Sequence, residues 1–387
     1  MLSLRTVALA ALAAPLLAAG VGPAGAAVRL CQGEEVTIEA PASGTTVRGT
    51  KGPDVIDGIG RNSITILGLG GDDVICSGPG VAVVIEGGDG ADRIEGGDRA
   101  YEEVGHAEVV ALAGGAGDDV LRILTPGTLT GGPGNDRLVV EGVETLASVE
   151  VEPGPGDDVV VGGGRSTTLI LGGTSGVRIV VPDGVSDGEG HDTFSGVRRF
   201  VGTEASDSFV GGAGPDDFTG EQGKFDGAPD MAVGGPGRDS LDLRGSAFGQ
   251  AGRDSLRVRG NGSVADGGPG SDFLAALPSR ECAMRRCRIE LRGGVGRDLV
   301  HFESSAGRGV RVDLAQGRAR HGRFVSALRS VEDVVGTKRP DVLLGNERSN
   351  RLAGGKGRDV LNGRGGRDLA DGGPGRDHCR AEVRRSC

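Results

Sequence analysis

One carboxylate setting dominates the chemistry open to this chain. Aspartate stands sixth in a nine-residue unit, G-G-x-G-x-D-x-U-x with U apolar, and the unit recurs along the sequence. Clean copies begin at Gly87 (GGDGADRIE), Gly114 (GGAGDDVLR), Gly131 (GGPGNDRLV), Gly211 (GGAGPDDFT), Gly234 (GGPGRDSLD), Gly267 (GGPGSDFLA), Gly293 (GGVGRDLVH), Gly354 (GGKGRDVLN) and Gly372 (GGPGRDHCR). Degenerate copies begin at Gly49, Gly68, Pro153, Gly202, Gly249, Gly336, Gly345 and Gly363. The candidate metal ligands are therefore Asp54, Asp73, Asp92, Asp119, Asp136, Asp158, Asp207, Asp216, Asp239, Asp254, Asp272, Asp298, Asp341, Asn350, Asp359, Asp368 and Asp377. Calcium takes six to eight oxygens and mixes carboxylates with backbone carbonyls. Glycines at places one, two and four let carbonyls converge without Cβ clashes. An aspartate that only closed its own Asx-turn would explain one such turn, not the recurrence.

Residue types that other chemistries need are scattered. None of His106, His191, His301, His321 and His378 lies in an H-E-x-x-H, and no G-x-S-x-G occurs. His106 with Glu108, and His301 with Glu303, would share a strand face, but neither pair has a third partner. Asp157–Asp158 and Asp216–Asp217 resemble paired catalytic acids but fall inside repeat turns. Tyr101 is the only tyrosine, and Lys51, Lys224, Lys338 and Lys356 are far apart. The alternative to a non-enzymatic reading is a carbohydrate-active β-helix enzyme, lyase or epimerase, which would need such residues clustered in a groove outside the turns. The net charge of −11 argues against nucleic acid and suits cations. The segment RECAMRRCRIELR carries Arg280, Arg285, Arg286 and Arg288 but no interleaved aromatics, and reads as a disulfide-closed loop.

The elements that position the aspartates must be short. G-G-x-G-x-D is a turn, and x-U-x is a minimal strand whose middle residue points inward. One such strand buries almost nothing, so copies must stack into a continuous core. Turns on one edge should recur at about twice the unit. Asp54, Asp73 and Asp92 are nineteen apart, whereas Asp341, Asp359 and Asp377 are eighteen apart, as are Asn350 and Asp368. Asp119 and Asp136 are seventeen apart, Asp254 and Asp272 eighteen. The intervening N-terminal turns end in Ser63, Val83 and Tyr101, so one edge there is acidic and the other is not. The period breaks over roughly 162–184, 222–231, 275–292 and 302–335, read as solenoid coils with loops.

These repeats resemble the hemolysin-type calcium-binding (RTX) nonapeptide family, over most of the chain from about 49 to 387. The resemblance implies an all-β, right-handed parallel β-roll or β-helix solenoid of about eighteen residues per coil. It also implies several calcium ions held by turn aspartates and carbonyls of neighbouring turns. VRVDLAQGRARHGRFVSALRSVEDVVG resembles the spacer that precedes repeat runs in that family. In the family, place five lends its backbone; here it holds Arg238, Arg253, Arg297, Arg358, Arg367 and Arg376. Guanidinium groups oppose the local negative field, so sites after Arg238 are expected to be weaker than those around Asp92 and Asp119. Family members commonly leave the cell by a one-step route with a C-terminal signal, which the N-terminus of this chain does not suggest.

That N-terminus, residues 1–26, reads as a cleaved signal peptide: Arg5, an apolar stretch over 7–17, and Ala24-Gly25-Ala26. No segment is apolar for long enough to span a membrane. With 76 glycines, 3% aromatics and no Trp, the core must be thin and lined by Val, Ile and Leu. Cys31, Cys76, Cys282, Cys287, Cys379 and Cys387 read as disulfides in an exported chain. Proximity favours 282–287 and 379–387, leaving Cys31 with Cys76. The expected organisation is a cap over 27–48, a roll with irregular coils over 49–275, loop and spacer coils over 276–335, and regular repeats with a disulfide cap over 336–387. The expected protein is a secreted, monomeric, calcium-stabilised structural or binding module, with any protein or polysaccharide partner unidentified.

Overall fold

The computed structural model describes residues 29–78, 83–97, 110–143, 148–220, 228–277, 282, 286–303 and 308–387. The expected signal peptide, Tyr101, His106, Glu108, Lys224, Arg280 and Arg285 lie outside the described residues. Every named element is a β-strand, most only three or four residues long, and almost all of them join one sheet.

Most pairings are parallel and skip one strand. Val342–Leu344 pairs with Val360–Asn362, while the intervening Arg351–Ala353 pairs with Asp333–Val335 and Leu369–Asp371. The skip follows from the short unit. Each turn sends the chain to the opposite face, and only the strand after next returns beside the first. Val159–Ile170 runs on through such a corner and pairs on both faces, with Arg137–Val140 at one end and Val149–Glu152 at the other.

Alternation along these strands builds the core. On one face Ile56, Ile75, Ile94, Leu121, Leu138 and Val160 stand in register, each at most 1% exposed. On the other, Ile66, Ile85, Leu112, Leu129, Val151 and Leu169 do the same. Burying one such side chain is worth roughly 1.5–3 kcal/mol, so each coil contributes little and stacking is obligatory.

Two features depart from the sequence reading. The core is not uniformly aliphatic: Phe194, Phe200, Phe209 and Phe218 form a run of rings with centroids 4.7–5.5 Å apart. The irregular stretches are also not plain coils. Arg178–Val180, Val185–Asp187 and His191–Val201 form an antiparallel meander, as do Arg311–Asp313, Arg318–His321 and Phe324–Arg329. The first reverses at Pro182-Asp183-Gly184, where Gly184 sits at φ +67. The second closes on Gly322-Arg323, with Gly322 at φ +61, the left-handed first position of a two-residue hairpin. Parallel stacking resumes after each: Arg178–Val180 pairs with Ser208–Val210, and Arg311–Asp313 with Val342–Leu344.

Disulfides join Cys31 to Cys76, Cys282 to Cys287 and Cys379 to Cys387. The first ties the small antiparallel pair Leu30–Cys31 and Glu34–Glu35 to the opening coils. The last fixes the chain end beside the strand Val383–Arg385, which pairs with Leu369–Asp371.

Candidate metal centres

The sixth-place aspartates stack into ladders. Oδ1 of each accepts the backbone N–H of the aspartate one coil earlier: Asp54 donates to Asp73, Asp73 to Asp92, Asp92 to Asp119, Asp119 to Asp136 and Asp136 to Asp158, all at 2.7–2.8 Å. A second ladder runs Asp216, Asp239, Asp254, Asp272, Asp298 at 2.9 Å per rung. In the last repeats Asp341 donates to Asp359 and Asp359 to Asp377, while Asn350 donates to Asp368. The sequence separation across one rung varies from 15 to 27 within these ladders. The rung survives because it is set by stacking, and extra residues are accommodated between rungs.

The second carboxylate oxygen divides the candidates. Oδ2 of Asp73, Asp92, Asp119, Asp136, Asp158, Asp239, Asp254, Asp272, Asp298, Asp359, Asp368 and Asp377 is buried without a hydrogen-bond partner. All of these residues except Asp377 are at most 2% exposed. A buried acceptor left unpaired costs about 1–3 kcal/mol, and a charged one more. Twelve among the sequence-derived candidates form a systematic pattern.

The orphan oxygens of Asp73, Asp92, Asp119, Asp136, Asp254, Asp272, Asp298, Asp359 and Asp377 each converge with a backbone carbonyl. A Cβ placed on Gly87 would come within 3.0 Å of both Asp92 Oδ2 and the Gly114 carbonyl. The same holds on Gly114 for Asp119 and the Gly131 carbonyl, on Gly267 for Asp272 and the Gly293 carbonyl, and on Gly354 for Asp359 and the Gly372 carbonyl. Glycine suits place one because carboxylate and neighbouring carbonyl converge where a side chain would start; Pro153, ahead of Asp158, is the exception. A carbonyl keeps a lone pair after one hydrogen bond, so it can still coordinate. This donor set fits a hard cation. No group of three or more His, Cys, Asp or Glu side chains converges among the described residues. The oxygens of each turn would therefore come mainly from backbone.

Electrostatics agree with the geometry. Burial, with a smaller contribution from neighbouring carboxylates, pushes Asp119 and Asp136 up to about 7. Asp73, Asp158, Asp239, Asp272 and Asp298 rise to about 6, also chiefly by burial. The backbone N–H on Oδ1 offsets part of each rise.

Five candidates are already satisfied. In three Gly-Thr turns the threonine N–H donates to the aspartate: Thr50 to Asp54 (2.6 Å), Thr203 to Asp207 (2.7 Å) and Thr337 to Asp341 (2.5 Å). The Thr203 and Thr337 hydroxyls add bonds to Oδ1 of the same aspartates. Asp216 accepts from the Gly212 N–H and pairs with Arg198 at 3.0 Å. Asn350 accepts from the Asn346 N–H and donates to the Glu332 carbonyl.

Other acids join the ladders unnoticed in the sequence. Asp192 receives the Asp158 N–H at 3.2 Å and a bond from Ser186 Oγ. Its Gly188-Glu189-Gly190-His191-Asp192 keeps G-x-G-x-D but lacks one glycine, which hid it. Asp230 receives the Asp207 N–H, and it stands ten residues after Gly220 where the regular unit would place it five after. Glu332 and Glu382 end ladders by accepting from Asp298 and Asp368, at 3.1 and 2.8 Å. Place five also does more than lend its backbone. Asp72, Asp118, Asn135 and Asp157 side chains each accept the N–H of the corresponding residue one coil on.

The RTX calcium-binding nonapeptide repeat matches residues 82–98, 200–224 and 344–379 of this chain. These segments contain Asp92, Asp207, Asp216, Asn350, Asp359, Asp368 and Asp377. No curated protein matches the chain.

Proposed function

We propose that this chain, a carrier of RTX calcium-binding nonapeptide repeats, is a secreted, monomeric right-handed β-roll of about eighteen residues per coil that folds on calcium. It serves as a calcium-stabilised structural or binding module, capped over 27–48, with roll, spacer and regular repeats over 49–275, 276–335 and 336–387. The observation that carries this reading is the set of twelve buried, partnerless aspartate oxygens at the repeat turns, nine of which converge with a carbonyl of a neighbouring coil. Those twelve turns are the proposed calcium sites. Asp54, Asp207, Asp216, Asp341 and Asn350 are proposed to close their turns without metal. Calcium would neutralise the stacked carboxylates and supply the partner that Oδ2 lacks.

Export is supported by the apolar opening segment and by three disulfides in a chain with no free cysteine. Among the described residues no helix is long and apolar enough to cross a membrane. Among the described residues the carbohydrate-active enzyme gains no support: His301 packs against Phe273 at 5.9 Å, and His191 is exposed and paired with Asp187 at 2.6 Å.

The test is a calcium titration of the full chain followed by circular dichroism, with bound metal measured in parallel. Folding should be coupled to metal, with a midpoint near 10⁻⁴–10⁻³ M, about that of extracellular calcium modules. A chain fully folded in excess chelator at neutral pH, binding no calcium, would refute the proposal.

A further inference from the structure

The ladder from Asp239 to Asp298 flanks a feature that calcium does not explain. On the outer face of these coils lies a groove of about 740 Å³. Its floor is made of Ser255, Arg257, Phe273 and Leu299, and its rim carries Arg238, Arg253, Arg297 and Arg351. Five arginines around one groove stand out in a chain of net charge −11. The topology places them there. Arg238 and Arg253 occupy place five of successive coils, whose Gly237 and Gly252 pair directly. They are therefore separated by about one strand spacing, roughly 4.8 Å.

These charges are unevenly spent. Arg297 is committed to Asp333, with contacts of 2.7 and 2.9 Å. Among the described residues, no carboxylate forms an ion pair with Arg238, Arg253 or Arg257. Asp242 stands in register with Arg257, but its carboxylate is held by Arg259. Arg257 Nε is buried without a hydrogen-bond partner, and its guanidinium lies 5.7 Å from the Phe273 ring centre. Leaving a buried guanidinium donor unpaired is costly, and an arriving oxyanion would relieve it.

We propose that this groove binds a linear acidic polysaccharide, with carboxylates of successive sugars held by Arg238, Arg253 and Arg257. The guanidinium fork matches a carboxylate in two-point contact. One-coil spacing of the rim charges suits a polymer that repeats its anion at each short step. The floor mixes the Ser255 hydroxyl with the apolar Phe273 and Leu299, as a sugar mixes hydroxyl and C–H faces. Phe273 is the one aromatic ring among the lining residues, whereas single-stranded nucleic acid calls for a succession of stacking platforms. The inference goes beyond the calcium reading and touches it at one point. Asp254 and Asp272 line the groove, so calcium at their turns would leave the arginines as its dominant charge.

The experiment uses the full chain in saturating calcium, titrated with short oligouronates. Tight binding is expected, weakening with salt, and the double variant Arg253→Gln/Arg257→Gln should lose at least tenfold in affinity. Arg367→Gln/Arg376→Gln changes the same place-five residue type in the last repeats, and should bind as the parent does. The calcium midpoint is measured for each variant. Lost oligouronate binding with a midpoint that is unchanged or lower supports the groove whether or not the twelve calcium sites are correct, and a raised midpoint would mean that the loss comes from the fold and overturn it. No binding, equal loss in both double variants, or tighter binding of poly-glutamate or an oligodeoxynucleotide would overturn the assignment.

Discussion

The coils from Asp54 to Asp158 and those from Gly336 to Cys387 use the same unit to different ends. The last repeats hold an eighteen-residue rung on both edges: 341 to 359 to 377, and 350 to 368. The early coils hold rungs of 19, 19, 27, 17 and 22 residues on one edge. Yet the irregular region has the longer unbroken file of orphan oxygens, from Asp73 through Asp158. In the regular region each edge starts at a satisfied side chain, Asp341 or Asn350, and one edge ends at Glu382. Sequence regularity therefore reports how evenly coils stack, whereas ligand density depends on how many consecutive turns leave Oδ2 unpaired.

The comparison predicts the largest effect in the middle of the early ladder. Asp119→Ala removes the acceptor for the buried Asp92 N–H together with one orphan oxygen flanked by others. Its calcium midpoint for β-structure should rise at least tenfold. An Asp119→Ala midpoint no higher than that of Asp359→Ala would erase the proposed difference between the regions.

A pH experiment separates them next. In the metal-free state the raised carboxylates favour the protonated form. Their stabilising contribution is complete below the unfolded value of about 3.9 and is lost as pH rises through their folded values. For Asp73 and Asp158 that loss is complete above about 6, and for Asp119 and Asp136 above about 7. The metal-free early coils should thus be more ordered at pH 5 than at pH 8. Because calcium displaces those protons, the calcium midpoint should fall over the same window. Hydrogen exchange at the two pH values in chelator checks this, and greater protection at pH 8 would contradict it.

Within the last repeats, Asp359→Ala should raise the midpoint more than Asp368→Ala. Asp359 lies between Asp341 and Asp377, whereas Asp368 lies between Asn350 and Glu382. Equal midpoints for the two variants would remove the assignment of edges.

The smallest effect belongs to the Gly-Thr turns. Thr337→Val removes one hydroxyl bond to Asp341 and the acceptor of the Arg339 N–H. It should cost about 1 kcal/mol of unfolding free energy. That cost should be equal in calcium and in chelator at pH 5, because the turn is proposed to hold no metal. A loss confined to calcium would make Asp341 a ligand.

The stacking of the nonapeptide, the places of the aspartates in its regular copies and the three cysteine pairings were legible in the sequence, because each is written in spacing. The division among aspartates was less so. Thr50, Thr203 and Thr337 all stand at place two, where clean copies carry glycine, but their bonds to the carboxylate appear only in three dimensions. Asp192 and Asp230 escaped because a missing glycine and a longer spacing break the pattern while the stacked rung persists. The two meanders escaped because a reversal of strand direction leaves no mark in the alternation of apolar residues. The phenylalanine run was hidden by its rarity: four of nine phenylalanines gather at one place in the core.

The central claim is that calcium occupies turns whose aspartate Oδ2 is orphaned and not those whose aspartate is already satisfied. The most direct measurement is long-wavelength anomalous diffraction from crystals of the full chain grown in calcium. The account predicts anomalous density beside Oδ2 of Asp92, Asp119, Asp136, Asp254, Asp272 and Asp359, and none at the Thr50, Thr203 and Thr337 turns. Density at those threonine turns, or its absence beside the orphan oxygens, would contradict it.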